Sequence, residues 1–448
     1  MTIAKKDLHI IVGLGATGLS CARYLAQQAI PFAVTDTRST PPNLTEFKKL
    51  FPHVLLSLGK LDDALLDTAS KIIISPGVSL QEPAIARQIM RGVPVIGDIE
   101  LFTLGVQVPV IAITGTNAKS TVTTLVGEMA AAAGVKVQVG GNLGTPVLDL
   151  LSAADTELFV LELSSFQLET TFSLAPEVAT VLNITPDHMD RYTTLEDYRN
   201  AKQHIYSNCQ VAVSNRDDPL TDCGEQFHKQ KLSFTLSEPQ QNEFGLLKKN
   251  NEIYLALESQ LLLPVRELPI LGRHYQANAL AALAVGHGYG LPLEPMLQTL
   301  MSFKGLPHRC QLVRDRHGVL WYNDSKGTNV GATLAAIEGL GSAIEGRLVL
   351  IAGGVGKNAD FSPLVMPIEK YVKSVVLIGD AASILAAVIG DRVEVSFAKS
   401  MEEAVAVADK IAITGDSVLL SPACASLDMF NNFEHRGQVF TQAVQELG

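Results

Sequence analysis

Lys119, Ser120 and Thr121 stand between an apolar run at residues 110–114 and an Ala-rich stretch of helical character. Just before them, Gly115, Thr116 and Asn117 read as a turn whose backbone N–H groups can wrap a phosphate. Lys119 is then placed to reach the terminal phosphates of a nucleoside triphosphate, and Ser120 or Thr121 to offer a hydroxyl to Mg²⁺. The stretch departs twice from G-x-x-x-x-G-K-[ST], because Ile113 and Ala118 occupy its glycine positions. Ala118 carries a Cβ, so a negative φ is expected there. Strand, turn, cation and paired hydroxyls still come in the order that triphosphate binding requires.

Two further groups follow strand-like runs. "ELFVLELSSFQLE" places Glu162 just beyond one, and "VATVLNITPDHMDRY" places His188 just beyond another. Strand ends of a parallel sheet share one edge, where ligands of α/β folds gather. A carboxylate with an imidazole there can hold a divalent cation against triphosphate oxygens. Alone, His188 reads more readily as a surface or core histidine; its place after a strand, beside such a loop, favours the metal. Lys202 lies in "DYRNAKQHIY", a helical stretch of mixed charge, and spacing alone makes it a solvated lysine.

Near the N-terminus, Gly13, Gly15 and Gly18, with Ala16 and Thr17 between them, form G-x-G-x-x-G after a strand-like run, and Asp36 ends the next run. This arrangement seats a pyrophosphate on a helix N-terminus and a ribose hydroxyl on the acid. It suits any nucleotide diphosphate, a nicotinamide dinucleotide included, and also a plain tight turn. Toward the C-terminus, "NDSKGTNVGAT" (Asp324, Ser325, Lys326, Thr328), "GGVGKNADF" (Lys357) and "SPACASLDMFNNF" (Ser426) are polar turns after strand-like runs. Together they make a binding face cationic enough for carboxylates; singly, each is ordinary loop chemistry.

Holding these turns requires parallel sheets, whose strands read as apolar runs buried on both faces. Such runs alternate with helical ones in three units, at residues 1–97, 98–306 and 307–448, predicting a three-domain α/β protein. "NEIYLALESQLLLPV" alternates instead, which predicts a small antiparallel accessory sheet in the middle unit. The apolar run near the N-terminus leads straight into a glycine turn, so it reads as a first strand rather than a signal peptide. The chain has 448 residues, 47% of them hydrophobic and 18% charged. No window approaches the roughly 18 uninterrupted apolar residues of a membrane span. A net charge of −11 argues against nucleic acid as the main partner. Five scattered cysteines without a C-x-x-C pair read as reduced thiols, and a cytoplasmic monomer is expected.

In order along the chain, "TGTNAKST", "ELSSFQLE", "NITPDHMDRY", "GLPHRC", "NDSKGTNVGAT" and "SPACASLDMFNNFEHRG" resemble the Mur ligase family, the ATP-dependent amino-acid ligases of peptidoglycan assembly. The resemblance runs through all three units. It implies an N-terminal Rossmann-like domain for a UDP-sugar substrate, a central P-loop-type ATPase domain and a C-terminal Rossmann-like domain for the amino acid. Within the family it is closest to members that add D-glutamate to UDP-N-acetylmuramoyl-L-alanine through an acyl phosphate.

Carried over by position, the resemblance puts Asp36 and Thr37 near uracil, and Gly13, Gly15, Ala16, Thr17 and Gly18 near the diphosphate, with Gly77 also on the UDP-substrate side. Gly115, Thr116, Asn117, Ala118, Lys119, Ser120 and Thr121 form the ATP loop, Asn278 and Arg309 contact the nucleotide, and Asp324 holds its ribose. The resemblance implies that Ser120, Glu162 and His188 are Mg²⁺ ligands, joined by Lys202 as a carbamate on a second ion, and that Lys119, His188 and Lys202 thereby serve catalysis. Asn142, Ser164 and His188 contact the UDP-substrate and its metal. Lys326, Thr328, Lys357, Ser426, Leu427 and Phe433 fall on the D-glutamate side.

Two positions depart from the family pattern: Ala118 replaces the loop glycine, and Val355 stands where "GGDGK" has aspartate. Other readings are a sister ligase for a different amino acid, a folylpolyglutamate synthase and a non-catalytic ATP-binding regulator. An NAD-dependent oxidoreductase rests on the first glycine turn alone and leaves the second phosphate loop idle.

Overall fold

Runs such as His9–Val12 and Val110–Thr114 are apolar on both pleat faces, and each lies inside a sheet covered on both sides. The computed structural model describes residues 7–448 apart from 226, 228 and 271. Residues 1–6, assigned above to the first unit, lie outside the described residues.

The first sheet is fully parallel, in the order β3-β2-β1-β4-β5. Its strands are β1 (His9–Val12), β2 (Phe32–Asp36), β3 (Leu56–Leu58), β4 (Lys71–Ile74) and β5 (Val95–Ile96). The order reverses between β1 and β4, so a crevice opens beyond their carboxyl ends. The glycine turn after β1 and Gly77 after β4 both lie there. Gly13 has φ +96, and a Cβ on Gly18 would meet the Gly13 carbonyl oxygen at 1.9 Å. Glycine at 18 thus lets the helix Ala16–Gln27 close on the strand.

The central sheet runs β14-β13-β12-β11-β10-β9-β6-β8-β7. It comprises β6 (Val110–Thr114), β7 (Val137–Gly141), β8 (Leu158–Glu162), β9 (Val178–Val181), β10 (Val211–Asn215), β11 (Gln230–Phe234), β12 (Glu243–Lys249), β13 (Glu252–Leu257) and β14 (Gln260–Pro264). The antiparallel piece expected around residues 252–264 exists, but it is not a separate sheet. β13 and β14 extend the edge of the main one, because β12 pairs with β11 in parallel and with β13 in antiparallel. β6 lies between β8 and β9, with Ile113 in register with Glu162 and Thr180. That register brings the loop after β6 beside Glu162.

The third sheet has the order β15-β16-β20-β17-β18-β19, with only β15–β16 antiparallel. Its strands are β15 (Gln311–Arg316), β16 (Val319–Asn323), β17 (Leu348–Gly353), β18 (Val372–Ile378), β19 (Glu394–Phe397) and β20 (Ser417–Leu420). Asn323 pairs with Leu420, and Leu420 with Ile351, so the three polar turns leave one sheet edge side by side.

One apolar cluster joins the first two sheets: Ile11, Leu14 and Leu25 share it with Phe102, Phe159 and Leu161. The third sheet keeps its own clusters. Its links to the phosphate loop and the His188 segment are polar: Arg309–Ser120, Asn329–Asn117 and Lys357–Asp187. All five cysteines are free, as expected.

Candidate active site

The phosphate-loop turn closes on itself. Lys119 Nζ donates to the carbonyls of Gly115 at 2.9 Å and Thr116 at 2.8 Å, leaving the third ammonium proton for a phosphate. The Asn117 N–H is fixed by Asn183 Oδ1 at 2.8 Å, and the Thr116 N–H by the Asn183 carbonyl at 2.9 Å. These contacts over-determine the turn and occupy the Thr116 and Asn117 N–H groups that were expected to wrap a phosphate; they also correct the expectation for residue 118. Ala118 adopts φ 67, ψ −10, the left-handed conformation, at the N-cap of the helix Lys119–Ala132. A left-handed L-residue costs roughly 1–2 kcal/mol, which the surrounding hydrogen bonds hold in place. Ala118→Gly should therefore leave thermal stability equal or raise it by up to about 1 kcal/mol, although the same change inside a helix costs about that much. Destabilisation by 1 kcal/mol or more in a melting experiment would contradict the left-handed turn.

Glu162, at the end of β8, is 2% exposed. Its Oε1 accepts from Asn142 Nδ2 at 2.7 Å, while Oε2 is buried without a partner. Burial pushes its carboxyl up, but the Lys119 ammonium, the nearby Ser120 hydroxyl and the hydrogen bond from Asn142 outweigh that and hold it below the usual range. His188 adopts φ 58, and burial, with Lys357, Lys119 and Lys202 nearby, pulls its ring below the ordinary imidazole value despite Asp187. A neutral imidazole and an orphaned carboxylate oxygen are the donors that a divalent cation takes. Among the described residues no group of three His, Cys, Asp or Glu side chains could hold a metal. Glu162 and His188 line one cleft, and two protein donors suit Mg²⁺, which keeps waters and takes phosphate oxygens. Ser120, expected as a ligand, has its Oγ accepting from Arg309 Nη2 at 2.6 Å.

Lys202 overturns the solvated reading. It is 1% exposed, lies 4.6 Å over the Tyr198 ring, and donates to the Gly115 carbonyl at 2.8 Å. Helical spacing could not show this, since the partner lies in another segment. Lys119 donates to the same oxygen, so the two amines stand within about 6 Å of each other, which disfavours charging both. Burial first, then Lys119, pulls the Lys202 amine well below its usual value.

Three clefts run in a row, the middle and the third along this loop and the second beside the middle one. The middle one, about 300 Å³, is lined by Thr116, Asn117, Ala118, Lys119, Asn142, Glu162, Ser164, His188, Lys202, Arg309, Lys326 and Thr328. The second, about 590 Å³, opens toward the first sheet past Gly13, Gly15, Ala16, Thr17, Asp36, Thr37 and Gly77, and shares Pro76 and Asn142 with the first. The third, about 320 Å³, holds Thr121, Asn278 and Asp324 and shares Asn117, Ala118, Arg309 and Lys326 with the middle one. Burial lifts the Asp324 carboxyl to about 6. It accepts from Ser421 Oγ at 2.7 Å and the Cys310 N–H at 3.1 Å.

Some expected residues stand elsewhere or act differently. Asp36 is 2% exposed and accepts four hydrogen bonds, from the Leu14 N–H, the Arg38 N–H and the Arg38 guanidinium twice. A carboxylate has about four lone-pair sites, so none is left for a ribose hydroxyl. Asp36 instead fixes Arg38, which lines the cleft and which sequence reading missed. Gly18 is spent on packing and Gly115 on its carbonyl. Lys357 reaches Asp187 at 2.7 Å, and Asn329 Nδ2 reaches the other Asp187 oxygen at 3.0 Å. Phe433 supports Lys326, whose Nζ lies 3.7 Å over its ring. Ser426, buried, and Leu427, 72% exposed, line none of the three clefts. Val355 pairs through its backbone with Ala425. Asp187, Asn183 and Asn329 were also missed as site residues, although each lies inside a motif already singled out.

Residues 7–97 match the family model described as Mur ligase MurD-like, N-terminal domain; 113–286 match the Mur ligase middle domain; 308–424 match the Mur ligase, glutamate ligase domain. The chain is 54% identical over 441 residues to the UDP-N-acetylmuramoylalanine–D-glutamate ligase of Pseudomonas putida, covering 98% of each chain. It is 52% identical to that of Coxiella burnetii, over 99% of this chain and 100% of the relative. Among solved structures it is similar in fold to the MurF ligase of Thermotoga maritima in complex with ADP, with TM-score 0.63 at 16% identity and 100% of both chains covered. The UDP-N-acetylmuramate–alanine ligase MurC of Thermotoga maritima gives TM-score 0.62 at 19% identity, covering 99% of this chain and 100% of that one.

Proposed function

The chain belongs to the Mur ligase family, and from that premise we propose that it joins D-glutamate to the L-alanyl carboxylate of UDP-N-acetylmuramoyl-L-alanine in peptidoglycan precursor synthesis, consuming ATP. The observation that carries the reading is the row of three connected clefts, the middle one sharing the phosphate loop with the third and Pro76 and Asn142 with the second. The UDP portion lies along Gly13–Thr37 and Gly77, the adenosine beside Asn278 and Asp324, and the reacting carboxylate between them.

A carboxylate resists attack by an amine, so its oxygen first takes the γ-phosphoryl group, releasing ADP. The amine of D-glutamate adds to the acyl phosphate carbonyl, and inorganic phosphate leaves the tetrahedral adduct. Lys119 and Arg309 would face the oxygens that gather charge, and Glu162 and neutral His188 would hold Mg²⁺. Bound there, the cation neutralises phosphoryl charge. Lys202 is carbamylated and contributes oxygen donors for a second Mg²⁺. In support, its amine is buried, depressed and next to another cation.

The protein acts as a cytoplasmic monomer without nucleic-acid or membrane partners, with domains divided near residues 97 and 306 and the Lys304–Cys310 segment as hinge. Among the described residues no helix is long and apolar enough to cross a membrane. In that linker Gly305, His308 and Cys310 all have positive φ.

Incubation with UDP-N-acetylmuramoyl-L-alanine, ATP, Mg²⁺ and D-glutamate should give a product heavier than the UDP-substrate by one glutamyl residue. A product formed only with a different amino acid would move the chain to a sister activity. Lys326 offers a finer test. Burial, then Arg309, brings its amine down to about 8. Below that pH it is a cation for a D-glutamate carboxylate; above it the charge is lost. Lys326→Ala should raise the KM for D-glutamate far more than that for ATP. In the wild type, kcat/KM for D-glutamate should fall as pH rises through about 8, and this limb should move upward in Lys326→Arg. A raised ATP KM with unchanged D-glutamate KM would place Lys326 in the nucleotide site.

A further inference from the structure

Arg436 stands in the first turn of the helix Phe433–Gln445 and is 0% exposed. Among the described residues its hydrogen-bond partners are all neutral. Nε donates to Ser325 Oγ at 3.0 Å, Nη2 to the Ser325 carbonyl at 2.8 Å and Nη1 to the Cys424 carbonyl at 3.1 Å. Stability alone argues against this placement. The first turn carries the positive end of the helix dipole, and a buried charge without a hydrogen-bonded counter-ion keeps a desolvation cost that no ion pair offsets. Burial draws the guanidinium down to about 10, which still leaves it charged at neutral pH.

The partners explain the placement. Ser325 immediately precedes Lys326, and Cys424 lies two residues before Ser426. One planar group therefore grips the stems of two of the three polar turns. A backbone bond from the Ala423 N–H to the Gly327 carbonyl at 2.9 Å ties the same turns a second time. Ser325 passes the hold onward, because its Oγ donates to the Phe433 carbonyl at 2.8 Å, and the Phe433 ring lies under Lys326 Nζ. Lysine cannot reproduce this fork of donors.

We propose that Arg436 is the positioning residue for the amino-acid side of the site, locking the turns of Lys326 and Ser426 together so that Lys326 is held for a D-glutamate carboxylate. The inference rests on the D-glutamate reading above. Arg436 acts through Ser325, Cys424 and Lys326 rather than by touching the reacting atoms.

The test compares Arg436→Met, Arg436→Lys and Ser325→Ala with wild type. It measures the KM for D-glutamate, ATP and UDP-N-acetylmuramoyl-L-alanine, together with kcat and thermal unfolding. Arg436→Met should raise the D-glutamate KM about 30-fold, with the other two KM values within about threefold. Arg436→Lys, which keeps the charge and loses the fork, should fall in between, as should Ser325→Ala. A merely structural arginine would lower the melting temperature and the active fraction, hence kcat, without separating the three KM values; that outcome overturns the proposal. Should Arg436→Met fail to fold, Arg436→Lys and Ser325→Ala decide, and an unchanged D-glutamate KM in both overturns it. Wild type is assayed first against a panel of amino acids. Turnover with another amino acid alone overturns the D-glutamate reading while the KM split is read on that amino acid, and no turnover with any overturns both.

Discussion

Lys119→Ala should abolish acyl-phosphate formation while leaving UDP-substrate binding nearly intact. The side chain makes two contributions that alanine removes together. Its ammonium ties the carbonyls of Gly115 and Thr116, which shapes the loop, and it points its remaining proton at the middle cleft. Losing one charge clamp on a transferring phosphoryl group costs on the order of a hundredfold or more in turnover. Loss of loop geometry adds to that, because misplaced reacting atoms forfeit orientation as well. The UDP cleft is built mainly on β1, β2 and β4 of another sheet and does not include Lys119, so calorimetric affinity for the UDP-substrate should change little. Turnover within tenfold of wild type would show that this loop does not hold the reacting phosphate. Equal loss of UDP-substrate affinity would show that the two anion sites are one.

The second large effect concerns Lys202. Lys202→Ala should be nearly inactive and partly restored by a small carboxylic acid that refills the vacated space. Carbamylation joins a neutral amine to CO₂ with release of one proton, so it needs an amine uncharged near neutral pH. Sharing the Gly115 carbonyl with Lys119, in full burial, creates that condition. The product puts an oxygen donor into the cleft that Glu162, whose Oε2 has no partner, also lines. ¹³C-bicarbonate labelling at neutral pH, with Mg²⁺ and substrates present, should give a carbamate signal that Lys202→Ala lacks. Its absence from a fully active enzyme would sink the idea. The pH sense follows from the same chemistry: acid protonates the amine and expels CO₂, so activity should fall with falling pH and recover on adding bicarbonate.

The sequence by itself determined the three parallel-sheet units and the strand ends that carry chemistry. Short apolar runs that end in glycine or polar turns and alternate with helical stretches suit a covered sheet, and parallel strands present their carboxyl ends on one edge. Once the strands are placed, Lys119, Glu162, His188 and the three C-terminal turns follow, because each lies within a few residues of a strand end. What the sequence could not determine are contacts between residues far apart in the chain. Lys202 reaches Gly115 across 87 residues, Lys357 reaches Asp187 across 170, and Arg436 reaches Ser325 across 111. Helical spacing shows which residues share a face; it does not show which neighbour covers that face, so Lys202 read as solvated and Arg436 was passed over. The left-handed turn at Ala118 was likewise decided by the tertiary structure, since the propensity of one alanine is outweighed by the hydrogen bonds from Asn183 on the next strand end. Asp36 is the local case of the same rule. Its position at the end of β2 was legible, but its oxygens were claimed by Leu14 and Arg38 once the turn after β1 packed against it. Position along the chain is set by short-range pattern, whereas the protonation and partners of a side chain depend on what packs around it, and packing belongs to the whole fold.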